Sequence, residues 1–171
     1  MQAMESIHSE FKLHYKSVLL SNLYGPGDNF NLESSHLIPA VIRKVFEAKI
    51  QGQRAVTIMG TGRARREFTF VDDVSEWIFQ NLSNIQKFPS RLNLGYGKDF
   101  SVDEYYDFAA SVIGYEGDFI HDTYAPEGMF QKLMDSSDAR ENFGWQPRVD
   151  PKKGISLTFK HWSERGLENE I

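Results

Sequence analysis

The sequence predicts a mixed α/β fold, and three observations carry that prediction. Ser17-Val18-Leu19-Leu20-Ser21 is a short apolar run without polar alternation, which suits a strand buried on both faces of a parallel sheet. Asn22-Leu23-Tyr24-Gly25-Pro26-Gly27-Asp28-Asn29-Phe30 follows, and its glycines, proline and Asp-Asn pair force a sharp exit from the strand. From Ser34-Ser35-His36 onward a strongly periodic helix begins, so the chain reads strand, tight loop, helix. In open α/β sheets the loop beyond a strand's carboxyl end is where ligands bind. An ordinary strand-to-helix connection fits this composition equally well.

Composition bounds the rest. A chain of 171 residues suggests one domain with room for a core. A net charge of -5 argues against a nucleic-acid partner. There is no cysteine, which excludes disulfides and thiolate metal sites, and the 5 histidines form no metal-ligand motif. No basic-then-apolar leader opens the sequence and no apolar run approaches a membrane span, so the expectation is a soluble, cytoplasmic protein without a membrane partner.

Met1 to about Tyr15 reads as a helix, with Met4, Ile7, Phe11 and Tyr15 at helical spacing and Glu5, Ser9 and Lys12 between them. The helix after the loop spans about Ser35 to Ile50, with Leu37, Ile38, Val41, Ile42, Val45, Phe46 and Ala48 on its apolar face and Pro39 near its first turn. His36 stands at its start, where an imidazole can cap the helix or serve as an acid/base. Ala55-Val56-Thr57-Ile58-Met59 is a β-branched strand turned by Gly60-Thr61-Gly62, and Glu67–Val71 is a second strand. Between them lie Arg63, Arg65 and Arg66, which read equally as an anion site or a solvated hairpin tip.

Asp72-Asp73 open an amphipathic helix carrying Val74, Trp77, Ile78, Leu82 and Ile85, and read as structural. Arg91–Gly95 is a short strand. Ser101-Val102-Asp103-Glu104 is a capping box for a helix from Tyr105 to Ile113 that Gly114 ends. Asp118–His121 is another strand and Pro126–Lys132 a loop. A short helix runs through Asn142 to Gly144-Trp145, and a last one from about Pro151 to Arg165, with Gly166 as its C-cap before a fraying acidic tail. Gly25/Gly27, Gly60/Gly62 and Gly95/Gly97 each begin a Gly-x-Gly-x-x-Gly dinucleotide fingerprint and none completes it.

The segment Asn22–Phe30, with Ser35-His36-x-Ile38-Pro39-Ala40 after it, resembles the GDP-L-fucose synthases of the NAD-dependent epimerase/dehydratase family (extended short-chain dehydrogenase/reductases). The likeness continues through Gly60-Thr61-Gly62, Arg66-Glu67-Phe68, Val71-Asp72-Asp73, Asn93-Leu94-Gly95, Gly114-Tyr115, Lys132–Asp135 and Gly144-Trp145, and it matches only the C-terminal half of such enzymes. The family's catalytic Tyr-x-x-x-Lys does not occur in the sequence.

The resemblance implies roles for single residues. His36 would be the catalytic acid/base beside the ketone and would also touch the cofactor. Leu20, Ser21, Asn22 and Leu23 match the segment along the nicotinamide end of NADP. Lys44, Met59, Arg66 and Glu127 match substrate-binding positions. Lys44 replaces an arginine and loses its bidentate fork; Met59 replaces a tryptophan and removes a stacking surface; Glu127 replaces an aspartate; and Met129-Phe130-Gln131 replaces Thr-Pro-Arg.

The implied architecture is the C-terminal part of an NAD(P)-binding Rossmann fold plus a small mixed α/β substrate-binding domain. Residues 1–34 would be the last helix–strand unit of the Rossmann domain and residues 35–171 the nucleotide-sugar domain, with a soft boundary between them. Alone, the Val18-Leu19-Leu20 strand would expose apolar surface, so a homodimer, a rearrangement or instability is expected. The implied function is the substrate-binding half of a nucleotide-sugar epimerase/reductase. It would act on a nucleotide-diphosphate sugar, with an N-terminal Rossmann half supplied in cis or in trans. NADP would be the cofactor of the complete enzyme rather than a tight ligand of this chain. The alternative is a non-catalytic paralogue that binds a nucleotide sugar or pairs with a separate Rossmann subunit.

Overall fold

Parallel pairing between distant strands organises the chain. The computed structural model describes residues 2–13 and 15–165. Helix α1 (Gln2–Phe11) leads to strand β1 (Ser17–Leu20), which pairs in parallel with β6 (Arg91–Leu94). The helix was expected to reach Tyr15, but it stops at Phe11 because Lys12 adopts φ 54°, a left-handed conformation that closes a helix. Expectations that fall on Met1, on the Met4 and Glu5 side chains, on Gly166 and on the tail lie outside what is described.

The sequence reading has Asn22–Tyr24 as loop, yet these residues form a further strand, β2, parallel to β5 (Phe68–Phe70). The loop therefore begins at Gly25, whose φ of 157° is one that residues with a side chain rarely adopt and where an added Cβ would fall 2.5 Å from Val71 Cγ1. Strand β3 (Ala55–Met59) pairs in parallel with β8 (Asp118–Asp122), not with the strand that follows it. A three-stranded sheet then holds β4 (Arg65–Arg66) between β7 (Phe100–Ser101, antiparallel) and β9 (Gln131–Lys132, parallel). The hairpin reading of the arginine segment is thus corrected: Gly60 and Gly62, at φ 78° and 74°, turn the chain away from β3 toward other partners.

Five further helices complete the fold. They are α2 (Leu37–Ile50), α3 (Val71–Asn81), α4 (Val102–Ile113), α5 (Ser137–Phe143) and α6 (Pro151–Arg165). The amphipathic pattern through Leu82 and Ile85 continues past α3 as a 3₁₀ segment, Leu82–Lys87, with Leu82 exposed. The capping box is fully formed: Ser101 Oγ accepts from Glu104 N at 3.1 Å and Glu104 Oε2 accepts from Ser101 N at 2.7 Å. Gly114, in the left-handed region, ends α4 as its composition predicts.

The main core gathers Tyr24, Phe30, the α2 face Ile38–Ala48, Val56, Ile58, Phe68, Phe70, Tyr105 and Ile155. Helices α2, α4 and α6 pack on one another around it. A second cluster joins Val74 and Trp77 of α3 to Leu92, Leu94, Ala139 and Trp145. Asp73 is structural, as expected: its Oδ2 accepts the N–H groups of Arg148 and Val149 at 3.0 Å each. On the β1 side Phe11, Leu13, Tyr15, Val18 and Leu20 remain exposed, so β1 is not covered on both faces among the described residues.

A candidate nucleotide-sugar cleft

The candidate site is built around β4, where two adjacent arginines are sorted by their partners. Arg65 Nε donates to Asp99 Oδ1 at 2.9 Å and its Nη2 to the Asp99 carbonyl at 2.8 Å, with Glu104 Oε2 at 3.5 Å. Arg66 points elsewhere. Its Nη1 donates to the Arg65 carbonyl at 2.7 Å and reaches the Phe130 carbonyl at 3.4 Å. No carboxylate among the described residues pairs with the Arg66 guanidinium. The Arg66 carbonyl accepts the Tyr105 hydroxyl at 2.9 Å, and burial pushes the Tyr105 phenol well up, keeping it a donor.

Glu67 follows at the floor. It is buried, and its carboxylate accepts Gly97 N–H at 2.5 Å and Met134 N–H at 2.9 Å, tying two loops together beneath β4. Its backbone carbonyl accepts Asn22 Nδ2 at 2.9 Å, and Ser21 Oγ lies 2.6 Å from Thr69 Oγ1. A cleft results between the end of β1 and the Met129–Asp135 segment, lined by Leu20, Ser21, Asn22, Glu67, Asn93, Gln131, Lys132 and Met134 among others.

Glu127 caps a turn. Its carboxylate accepts Thr61 N–H and packs over Gly60, where an added Cβ would lie 2.6 Å from Glu127 Cγ. Hydrogen bonding from Thr61 holds the Glu127 carboxyl below its usual range. Met59, at the end of β3 one residue before Gly60, is exposed.

The Glu127 carboxylate sits over the Gly60-Thr61 turn that follows Met59, and Gly128 approaches Arg66, while Leu20, Ser21 and Asn22 line the neighbouring cleft with Glu67. Leu23, in β2, packs against the second core cluster. His36, Lys44, Met59, Arg66 and Glu127 are not among the residues lining that cleft. His36 is the exposed N-cap of α2 and its side chain makes no capping bond. Lys44 is half-buried on α2.

Sequence reasoning missed Glu67, Asn93 and Asp28. The Asn93 side chain donates to the Asp135 carbonyl at 2.9 Å. Asp28 has one buried carboxylate oxygen without a partner, and burial raises its carboxyl. An acid set between two arginines and a phenylalanine was the available sequence signal for Glu67.

Among the glycine pairs, Gly27 has open space where a Cβ would stand, whereas other positions are filled by the protein's own side chains. A Cβ at Gly62 would meet Asp103 Oδ1 at 1.8 Å, at Gly95 Glu67 Oε1 at 2.4 Å, and at Gly97 Arg140 Nη2 at 1.5 Å. Each of these glycines admits one of the protein's own side chains. Of the Leu20–Leu23 segment, Leu20, Ser21 and Asn22 line the cleft and Leu23 does not.

Residues 1–95 match the model of the NAD dependent epimerase/dehydratase family. The chain belongs to that family. It is 42% identical over 154 residues to a GDP-L-colitose synthase of Yersinia pseudotuberculosis, covering 90% of this chain and 49% of that protein. It is 43% identical over 149 residues to a GDP-L-fucose synthase of Azorhizobium caulinodans, covering 87% and 47%. The resemblance read from the Asn22–Phe30 segment is thus borne out, and the chain spans about half the length of these relatives. A solved GDP-L-fucose synthetase from Naegleria fowleri bound to NADP superposes with TM-score 0.82 at 22% identity, over 98% of this chain and 52% of that one. A GDP-6-OMe-4-keto-L-xylo-heptose reductase from Campylobacter jejuni gives TM-score 0.82 at 25% identity, over 94% and 57%. The mixed α/β fold with parallel strand pairs is that of these Rossmann-like enzymes. Among the described residues no helix is long and apolar enough to cross a membrane.

Proposed function

We propose that this chain is the substrate-binding half of a nucleotide-sugar epimerase/reductase of the GDP-L-fucose synthase type. The observation that carries the reading is Arg66: a half-buried guanidinium that meets only backbone carbonyls, beside an adjacent arginine already neutralised by Asp99. A cation held in place without a counter-charge is a ready ligand for a diphosphate. Glu127, Met59 and the Leu20–Asn22 edge surround the path a sugar would take from that diphosphate toward a ketone. Lys44 would add charge from α2.

In this reading residues 35–171 form the nucleotide-sugar domain and residues 1–34 the end of a Rossmann sheet. A Rossmann half completes the active site, in cis or in trans, and a homodimer is the expected assembly. His36 exchanges protons beside the sugar ketone. NADP, when bound to the complete enzyme, supplies the hydride. The exposed Val18 and Leu20 on β1 favour a second reading, in which the chain serves chiefly as the partner of a separate Rossmann subunit.

The test is calorimetric titration of the 171-residue chain with GDP-mannose, wild type against Arg66→Ala. Weak binding that the substitution abolishes supports the proposal. Equal affinity in both proteins, or none in either, removes it. Joined to the N-terminal half of a relative, the chain should regain hydride transfer if it is the enzyme's half, and should not if it is a binding partner only.

A further inference from the structure

Among the described residues no large hydrophobic side chain is more exposed than Tyr124, at 98%. Its backbone, in contrast, is fixed. Tyr124 N–H donates to Asp122 Oδ1 at 3.2 Å, and Ala125 N–H to the Asp122 carbonyl at 3.2 Å. Asp122 ends β8 in register with Met59, and its carbonyl also accepts Gly60 N–H at 2.9 Å. Tyr124 thus stands on a tight turn just past two paired strand ends, and the Met59 side chain at that same end is 58% exposed.

The same short segment leads to the cation. Glu127 binds the Thr61 N–H, and a Cβ on Gly128 would lie 3.5 Å from Arg66 Nη2. One end of the Tyr124–Gly128 segment therefore presents an aromatic ring to solvent, and the other end backs onto an unneutralised guanidinium. A ligand that satisfies both must be flat and apolar at one end and anionic at the other. A nucleoside diphosphate is such a molecule.

We infer that Tyr124, beside Met59, is the stacking surface for the nucleobase of the nucleotide whose diphosphate Arg66 holds. This rests on the diphosphate reading of Arg66. Stacking on an aromatic face tolerates any base, because every base has a π-face. The surface therefore selects nucleotides over bare sugar phosphates, and it restores in another loop the aromatic plane that Met59 does not provide.

The test titrates the 171-residue chain with GDP and with inorganic pyrophosphate in four proteins: wild type, Tyr124→Ala, Tyr124→Phe and Arg66→Ala. Tyr124→Ala should weaken GDP roughly ten- to hundredfold. Tyr124→Phe should keep GDP affinity, and neither tyrosine variant should change pyrophosphate binding. Unchanged GDP affinity in Tyr124→Ala, while Arg66→Ala still loses both ligands, overturns the stacking role and leaves the diphosphate reading standing. GDP and pyrophosphate binding that survives Arg66→Ala, or is absent from wild type, overturns the diphosphate reading and the inference with it.

Discussion

Arg65 Nε and Asp99 Oδ1 lie 2.9 Å apart, joining β4 to the residue just before β7. This one pairing decides which of two neighbouring arginines is left to meet an anion. It also makes acid stability depend on Asp99. Burial alone would raise that carboxyl, but hydrogen bonds from Gln131 and Arg65 outweigh it and hold the group below the ordinary range. A depressed carboxylate contributes stability above its unfolded pKa of about 3.9, and the contribution is lost as pH falls through the folded value. Urea melts below about pH 4 should therefore show wild type losing stability faster than Asp99→Asn. Equal acid slopes would remove the pair from that role.

Glu67→Gln should destabilise the fold by about 1–3 kcal/mol. The buried carboxylate accepts two backbone N–H groups, from Gly97 and Met134. A glutamine can accept only one with its oxygen and turns an N–H₂ toward the other. Chemical denaturation reads the cost directly, and amide exchange at Gly97 and Met134 should accelerate in the variant.

Asp28→Asn should stabilise the protein at neutral pH. Burial raises the Asp28 carboxyl, and one of its oxygens has no partner. An acid with a raised folded pKa favours the folded state only below the unfolded value of about 3.9, and that advantage is lost as pH rises through the folded value. The neutral amide escapes this loss. Thermal melts at pH 7 and pH 3 should show a gain at the higher pH alone.

Ser101→Ala removes one half of the capping box and should cost about 1 kcal/mol. Because Glu104 also reaches Arg65, the same substitution should loosen β4 slightly. A fall in thermal midpoint with the denaturant slope unchanged is the expected signature.

The readable parts of this molecule were the local ones. Ser101, Glu104 and Gly114 declare α4 within a dozen residues, and the apolar periodicity of Leu37–Ile50 declares α2. What failed was anything needing a distant partner. The arginine segment looked like a hairpin because its two strands are neighbours in sequence, yet β3 pairs with β8 and β5 with β2. Glu67 was invisible as the floor of the cleft because its partners Gly97 and Met134 lie 30 and 67 residues away. The end of α1 went unread because a lysine, not a glycine, takes the left-handed position. The hydrogen bond linking Asn22 to the residue after Arg66 likewise had no local signal, because its partners lie 45 residues apart.

Among the described residues no strand pairs with its successor. Ser17 lies opposite Arg91, Asn22 opposite Phe68 and Ala55 opposite Asp118, so each ladder must close a long loop before it gains a hydrogen bond. Such non-local pairing slows folding and delays it. During synthesis β3 emerges before its partner and waits for β8, and truncation before Asp118 removes that partner altogether. Helix α2 can form early. The ladder that places Met59 beside Asp122 is completed only after most of the chain has left the ribosome.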